Sequence, residues 1–244
     1  MAHTAEPADA STEGRIQTLI HALADSHVSV RWNAARELAR LGTVSEPALS
    51  ALAELLKDRD ATSALWARFA IARITGDTGK HLPVLIEALA DKKRVWPGMA
   101  AFAIAGFGPD ARAAVPFLAR ELTAEHPDSR WSAAGALASI GPDARCAVPD
   151  LVDALQDVDE KVRWYAAWAL GSIGRDAGYA VPALIESLND VDDDVLAYSA
   201  RALGQIGAPA RIAIPRLQAL RDIDNPSVRA EIRTALAILS SNAP

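Results

Sequence analysis

An all-α solenoid of about seven antiparallel helix pairs is predicted for this chain by three features of its sequence. Prolines recur at Pro83, Pro116, Pro149, Pro182 and Pro215, each 33 residues from the next. Glycines recur at Gly108, Gly141, Gly174 and Gly207 with the same spacing. Between these marks the apolar residues fall at helical intervals. A fixed period of this length signals stacked supersecondary units in place of one closed core.

The stretch from Val148 to Gly174 shows the unit most plainly. Val148, Leu151, Val152 and Leu155 fall at i, i+3, i+4 and i+7, one face of a first helix. Pro149 sits in its first turn, where a missing N–H costs nothing. Asp157 and Asp159 break the pattern and offer oxygens to cap a second helix. Val162, Ala166, Ala167, Ala169, Leu170 and Ile173 form the core face of that helix, and Gly174 stops it. No single pair can bury its own apolar face, so stability must come from stacking.

The other units follow in order. Residues 16–24 match the first helix, with Gln17 where the proline belongs, and His27 to Gly42 supply the second. The next pair is irregular: Pro47 lies 36 residues before Pro83, and its second helix aligns on Ile74. In the third, Pro97 and Gly98 replace Arg163 and Trp164, which predicts a late start or a kink. Pairs four to six keep the pattern, and the GPDAR linkers at 108–112 and 141–145 read as a C-cap followed by a short helical turn. The last helix is expected to be capped by Asn225 and to end near Ser240. Residues 1–14 read as a disordered leader, 15–240 as a single repeat domain and 241–244 as a tail.

Charge and composition narrow the function classes. The 244 residues carry a net charge of −6, and half of them are hydrophobic. Such a charge opposes an unaided hold on nucleic-acid phosphates, and Arg and Lys are dispersed through the repeats. No apolar run approaches the roughly 18 residues of a membrane-spanning helix. One cysteine excludes an internal disulfide and fits a reducing, cytoplasmic setting.

The repeated core D-x-x-V-R-x-x-A-A-x-A-L-G-x-I-G appears as Asp159, Val162, Arg163, Ala166, Ala167, Ala169, Leu170, Gly171, Ile173 and Gly174. This pattern, over almost the whole chain, resembles the HEAT-repeat superfamily, in particular the short HEAT-like repeats of phycobilin lyases. The resemblance implies a right-handed α-α superhelix whose second helices line a concave surface. It does not choose a function, because the class includes chromophore lyases, assembly factors, scaffolds and an iron hydroxylase.

Opposite the core face, aromatic residues recur in three registers. Trp32, Trp131 and Trp164 share one; Trp66, Tyr165 and Tyr198 share the next; Phe69, Phe102 and Trp168 share a third. Arg36 and Arg201 take the place of Trp168, and Arg40 and Arg73 that of Ser172. One reading makes these rings filler between neighbouring repeats. The other makes Trp32, Arg36, Trp66, Phe69, Arg73, Phe102, Trp131, Trp164, Tyr165, Trp168, Tyr198 and Arg201 the lining of an exposed binding groove, because aligned aromatic patches mark binding sites. Arg31, Arg130, Arg163 and Arg229 flank the core, where pairing with aspartates of adjacent repeats accounts for them. Asp128, Glu160, Asp193 and Asp194 open second helices, where they complement the helix dipole.

Nothing in the sequence spells out catalysis. None of the five histidines, His3, His21, His27, His81 and His126, stands at a metal-ligand spacing. The paired His-Glu motifs of the HEAT-like iron hydroxylases are absent. Cys146 aligns with Ala113, Tyr179 and Ile212, which reads as a packing position. The HEAT-like DNA alkylbase glycosylases use concave tryptophans and an aspartate; the rings are here, the positive charge is not. The expected function is therefore a non-catalytic scaffold or adaptor that captures a peptide or protein in the aromatic and arginine groove, with no metal and no cofactor. The alternative is a lyase-like protein or chaperone, or an enzyme without a recognisable motif, holding an anionic aromatic small molecule in the same groove.

Overall fold

A computed structural model describes residues 10–90 and 98–241, and among these every regular element is helical. The chain forms two compact units, Met1–Phe107 and Gly108–Pro244. The first contains three helix pairs: α1 (Ala10–Ala22) with α2 (Val28–Leu41), α3 (Leu49–Leu55) with α4 (Ala61–Thr75), and α5 (Thr78–Ala90) with α6 (Met99–Ala105). The second contains four. They are α7 (Val115–Glu121) with α8 (Pro127–Ile140), α9 (Val148–Ala154) with α10 (Glu160–Ile173), α11 (Val181–Ser187) with α12 (Asp193–Ile206), and α13 (Ile214–Ala219) with α14 (Pro226–Ser241). In the second unit α8, α10, α12 and α14 pack on one another in sequence, and in the first α2 packs on α4.

The core face falls where the repeat pattern puts it. Val162, Ala166, Ala167, Ala169, Leu170 and Ile173 are all buried, as are Val148 and Leu151 on α9 and Leu155 just after it. Small residues bring the second helices close. A Cβ on Gly171 would lie 3.0 Å from Ala202 Cα, and one on Gly204 would lie 3.1 Å from Ala235 Cα. At these contacts even a methyl group is tight, so no ring can enter between α10 and α12 there.

Some boundaries differ from the expectation. Helix α1 starts at Ala10, so residues 10–14, read as leader, are helical, and α14 extends through Ser241. Residues 1–9 and 242–244 lie outside the described residues, and so does Pro97. Just after it, Gly98 adopts φ 84°, a left-handed conformation that only glycine enters freely, and α6 begins at Met99.

The GPDAR linkers and their relatives form 3-10 helices, among them Gly108–Ala114, Gly141–Ala147, Gly174–Ala180 and Ala208–Ala213. Three residues per turn put Ala144 and Ala147 on one buried face, as they do Ala177 with Ala180 and Ala210 with Ala213. Cys146 lies a third of a turn away and is exposed, so it is not a packing residue. Its register mates Tyr179 and Ile212 are exposed too, at 75% and 67%.

A repeated clamp ties the first pair to the second, the fourth to the fifth and the fifth to the sixth. Arg31 Nε donates to Asp58 Oδ2 at 2.6 Å, Arg130 Nε to Asp157 Oδ2 at 2.7 Å, and Arg163 Nε to Asp190 Oδ2 at 2.7 Å. Each guanidinium makes a second bond to the other carboxylate oxygen and also donates to two carbonyls of its own loop. All six side chains are only 12–15% exposed. Such fork-to-fork geometry fixes both angle and distance. Each aspartate also accepts from the N–H two residues on, at Asp60, Asp159 and Asp192. Those three residues in turn cap α4, α10 and α12. One dipeptide spacing thus joins the repeats and starts the next helix. Burial alone would raise the aspartate pKa values, but the guanidinium and backbone N–H bonds outweigh it and hold all three below the ordinary range.

Candidate functional site

On the second unit the non-core face of α8, α10 and α12 carries a continuous stack of rings. Trp131 stacks on Tyr165 with centroids 5.2 Å apart, Tyr165 on Trp164 at 3.7 Å, and Trp164 on Tyr198 at 4.9 Å. Trp168 leans on Tyr165 at 5.7 Å with a 50° tilt. All five rings are half-buried, neither core nor free surface. Arg201 closes one end, its guanidinium 5.1 Å from the centre of the Tyr198 ring.

The stack is held by neighbours that carry no ring. Gly135 stands in α8 where α10 has Trp168, and a Cβ there would lie 3.1 Å from Tyr165 Cε1. A glycine in mid-helix weakens the helix, and here it gives Tyr165 its place. Trp131 Nε1 donates to Asp128 Oδ1 at 3.0 Å, so Asp128 positions a ring as well as opening the helix. Glu231 of α14 binds Arg201 through both carboxylate oxygens. Those bonds raise the arginine pKa and engage the guanidinium. Burial pushes the Tyr165 phenol up, and the nearby Tyr198 adds to this. The sequence reading did not single out Gly135 or Glu231, although a glycine at an otherwise bulky register was visible in it.

The first unit treats the same registers differently. Trp66 and Phe69 are 5% and 6% exposed, so these two belong to the core and do not line a groove. Trp66 lies between Trp32 at 6.3 Å and Phe69 at 5.5 Å, and Phe69 meets Phe107 edge-on at 5.0 Å. Gly106 makes this room, since a Cβ there would sit 2.3 Å from Phe69 Cζ. Trp32 remains half-buried, with the Arg36 guanidinium 5.5 Å from its ring centre. Phe102 and Arg73 are exposed. Of the twelve residues named from the sequence, six therefore come together on the second unit: Trp131, Trp164, Tyr165, Trp168, Tyr198 and Arg201.

Among the described residues no group of three or more His, Cys, Asp or Glu side chains is placed to hold a metal ion. Among them, too, no helix is long and apolar enough to cross a membrane.

Comparison with known proteins agrees with the architecture. The family model for HEAT repeats matches residues 148–237, and that for the PBS lyase HEAT-like repeat matches residues 30–58 and 129–157. No curated protein matches the sequence. Among solved structures, one engineered protein is 26% identical with a TM-score of 0.63, covering 93% of this chain and 69% of its own. A second engineered protein is 25% identical with a TM-score of 0.60, covering 93% and 96%. A chain of the complex of CpcE and CpcF of phycocyanin lyase from a Nostoc species is 20% identical, with a TM-score of 0.52 and 98% of both chains covered.

These findings correct one expectation. The PBS lyase repeats, with a phycocyanin lyase among the structural neighbours, point toward a lyase and away from a non-catalytic protein. The repeat matches at residues 30–58 and 129–237 and the helix-pair architecture agree: this protein belongs to the HEAT-repeat superfamily, with repeats of the PBS lyase HEAT-like type at residues 30–58 and 129–157.

Proposed function

We propose that the chain is a lyase-type HEAT-repeat protein whose ring stack on α8, α10 and α12 receives a protein or peptide partner. The observation that carries this reading is the half-exposure of five stacked rings above a core that is complete without them. Tryptophan and tyrosine dominate binding hot spots, and rings already locked against one another lose little freedom on docking. Stacked repeats offer extended preformed surfaces for partners. The phycocyanin lyase neighbour is itself a complex of two different chains, which supports a partnered mode of action.

A second reading places a planar anionic aromatic molecule on the same face, and the arginine over Tyr198 favours it. Against it, Arg201 is already paired with Glu231, and the ring faces are largely occupied by one another.

Replacing Trp131, Trp164 and Trp168 together with alanine tests the proposal. Wild type and variant are compared in affinity capture from lysate of the source cells, with circular dichroism on both. The expected outcome is a partner recovered by wild type alone and unchanged helical content. Equal recovery would move the interface off these rings, and collapse of the helix signal would make them core. Saturable quenching of tryptophan fluorescence by a tetrapyrrole, with no partner recovered, would transfer the face to the second reading.

A further inference from the structure

The ring stack has a charged rim, and its sign is one-sided. Residues three and four apart share a helix face, so Asp128 lies one turn before Trp131, Glu160 one turn before Trp164 and Asp194 one turn before Tyr198. Asp193 stands beside Asp194 and accepts a bond from Asn225 Nδ2 at 2.7 Å. Glu160, Asp193 and Asp194 are exposed and Asp128 is half-buried. The cations in the first turns of α8, α10 and α12 do not balance these four. Arg130 and Arg163 are engaged in the clamps, with side chains only 12% and 15% exposed, which leaves Lys161 against the carboxylates.

The helix dipole explains why acids stand at these positions, and their presence also restricts what can dock there. The N–H groups of Lys161 and Val162 are bonded to the cap Asp159, and those of Asp194 and Val195 to the cap Asp192. These helix starts therefore offer an anion few open donors and oppose it with carboxylates.

We infer that the occupant of the ring stack is a basic segment of a partner protein, with arginines set among apolar residues. The inference rests on the reading of the stack as a docking surface and adds the chemistry of the partner. Complementary charge selects a partner and excludes wrong ones. Arginine suits this face better than lysine, because its guanidinium both packs on rings and forks onto carboxylates. The protein already contains that arrangement at the end of the stack, where Arg201 lies 5.1 Å from the centre of the Tyr198 ring and bonds both oxygens of Glu231. Glu160 and Asp194, one turn from Trp164 and Tyr198, offer the same two contacts to an arginine from outside. Val158 and Val191, 92% and 98% exposed in the loops that lead into α10 and α12, extend the apolar surface beyond the rim.

The test is fluorescence anisotropy on the full chain at about 0.15 M salt, with two labelled octapeptide probes, one alternating arginine and leucine, the other glutamate and leucine. The arginine probe is expected to bind at least about tenfold more tightly than the glutamate probe. Glu160→Lys with Asp194→Lys is expected to weaken it by a similar factor, and Glu160→Gln with Asp194→Asn serves if circular dichroism shows that the lysines disturb the helices. Asp150→Lys with Glu186→Lys makes the same change in net charge on α9 and α11, which carry no ring, and is expected to leave the affinity within about twofold. The inference is overturned if the glutamate probe binds as tightly, if the arginine probe does not bind at millimolar concentration, or if both charge variants weaken it equally. Undiminished binding of the arginine probe to the Trp131, Trp164 and Trp168 alanine variant removes the docking reading of the stack together with the inference. Binding lost in that variant but insensitive to Glu160 and Asp194 overturns the basic partner alone.

Discussion

Trp66 of α4 and Tyr165 of α10 hold the same register in their repeats, yet one is core and the other belongs to a stack that reaches solvent. The difference comes from the side chains and backbone that each ring meets. In the first unit Gly106 leaves a hollow that Phe69 fills, and Trp66 follows it inward. In the second, Gly171 against Ala202 and Gly204 against Ala235 hold the helix backbones close, so the rings stay at the rim and stack along it. Ring orientation is therefore set by where the small residues lie, and the aromatic registers alone do not decide it.

The strongest way to break this contrast is to truncate one ring from each side of it. Phe69→Ala is expected to destabilise the protein by about 4 kcal/mol, the usual cost of emptying an aromatic core site. Trp168→Ala is expected to cost about 1 kcal/mol, because its ring is half in solvent already. Urea denaturation midpoints at constant slope measure both, and equal losses would erase the distinction between core rings and surface rings.

The clamps should show the opposite, a sameness across units. Asp58→Ala in the first and Asp190→Ala in the second each strand a largely buried guanidinium, at a cost of about 3 kcal/mol. Each substitution leaves its helix cap, Asp60 or Asp192, in place. Divergent losses would mean that the repeats are not energetically equivalent.

Glycine replacements sharpen the comparison at smaller scale. Gly106→Ala drives a methyl group into the Phe69 ring and is expected to cost about 2 kcal/mol. Gly135→Ala meets Tyr165 at 3.1 Å, a milder contact, and is expected to alter the near-ultraviolet dichroism of the Trp131 and Tyr165 pair with little change in stability. The reverse ranking would place the tighter ring packing on the second unit.

The smallest effect is one of pH and concerns the first unit. His81 is buried, its Nδ1 has no partner, and burial together with the charge of Arg68 lowers its pKa below 6.5. The unfolded chain then binds a proton that the folded one refuses, so stability falls as pH drops below about 6.5 toward the folded value. The clamp aspartates, whose pKa values are lowered by pairing, begin to cost stability only below about pH 4. His81→Leu should flatten the upper window and leave the lower one untouched, as read from urea midpoints across that range.

The sequence carried the period, the core face and the clamp in legible form. Arg163 recurs beside core positions and Asp190 recurs with it, so their pairing follows from the register. The fate of the rings was not legible, because Phe69 is buried by a hollow at Gly106, 37 residues away, which no helical periodicity reports. Cys146 misled for a related reason. It aligns with apolar residues, but a 3-10 turn buries every third position, and the cysteine is not one of them. The unpaired Thr62 hydroxyl was equally hidden, since it depends on which neighbours arrive in space.

The Arg–Asp spacing has a bearing on how such a chain changes length. Arg130 and Asp157 are 27 residues apart, and so are Arg163 and Asp190, while the repeat itself is 33. Remove residues 145–177 and Asp157 and Arg163 leave together, while Asp190 arrives at the distance from Arg130 that Asp157 had. Duplicating the same block adds one of each, again in working order. A gene encoding this protein can gain or lose whole repeats by unequal crossover without stranding a single buried charge.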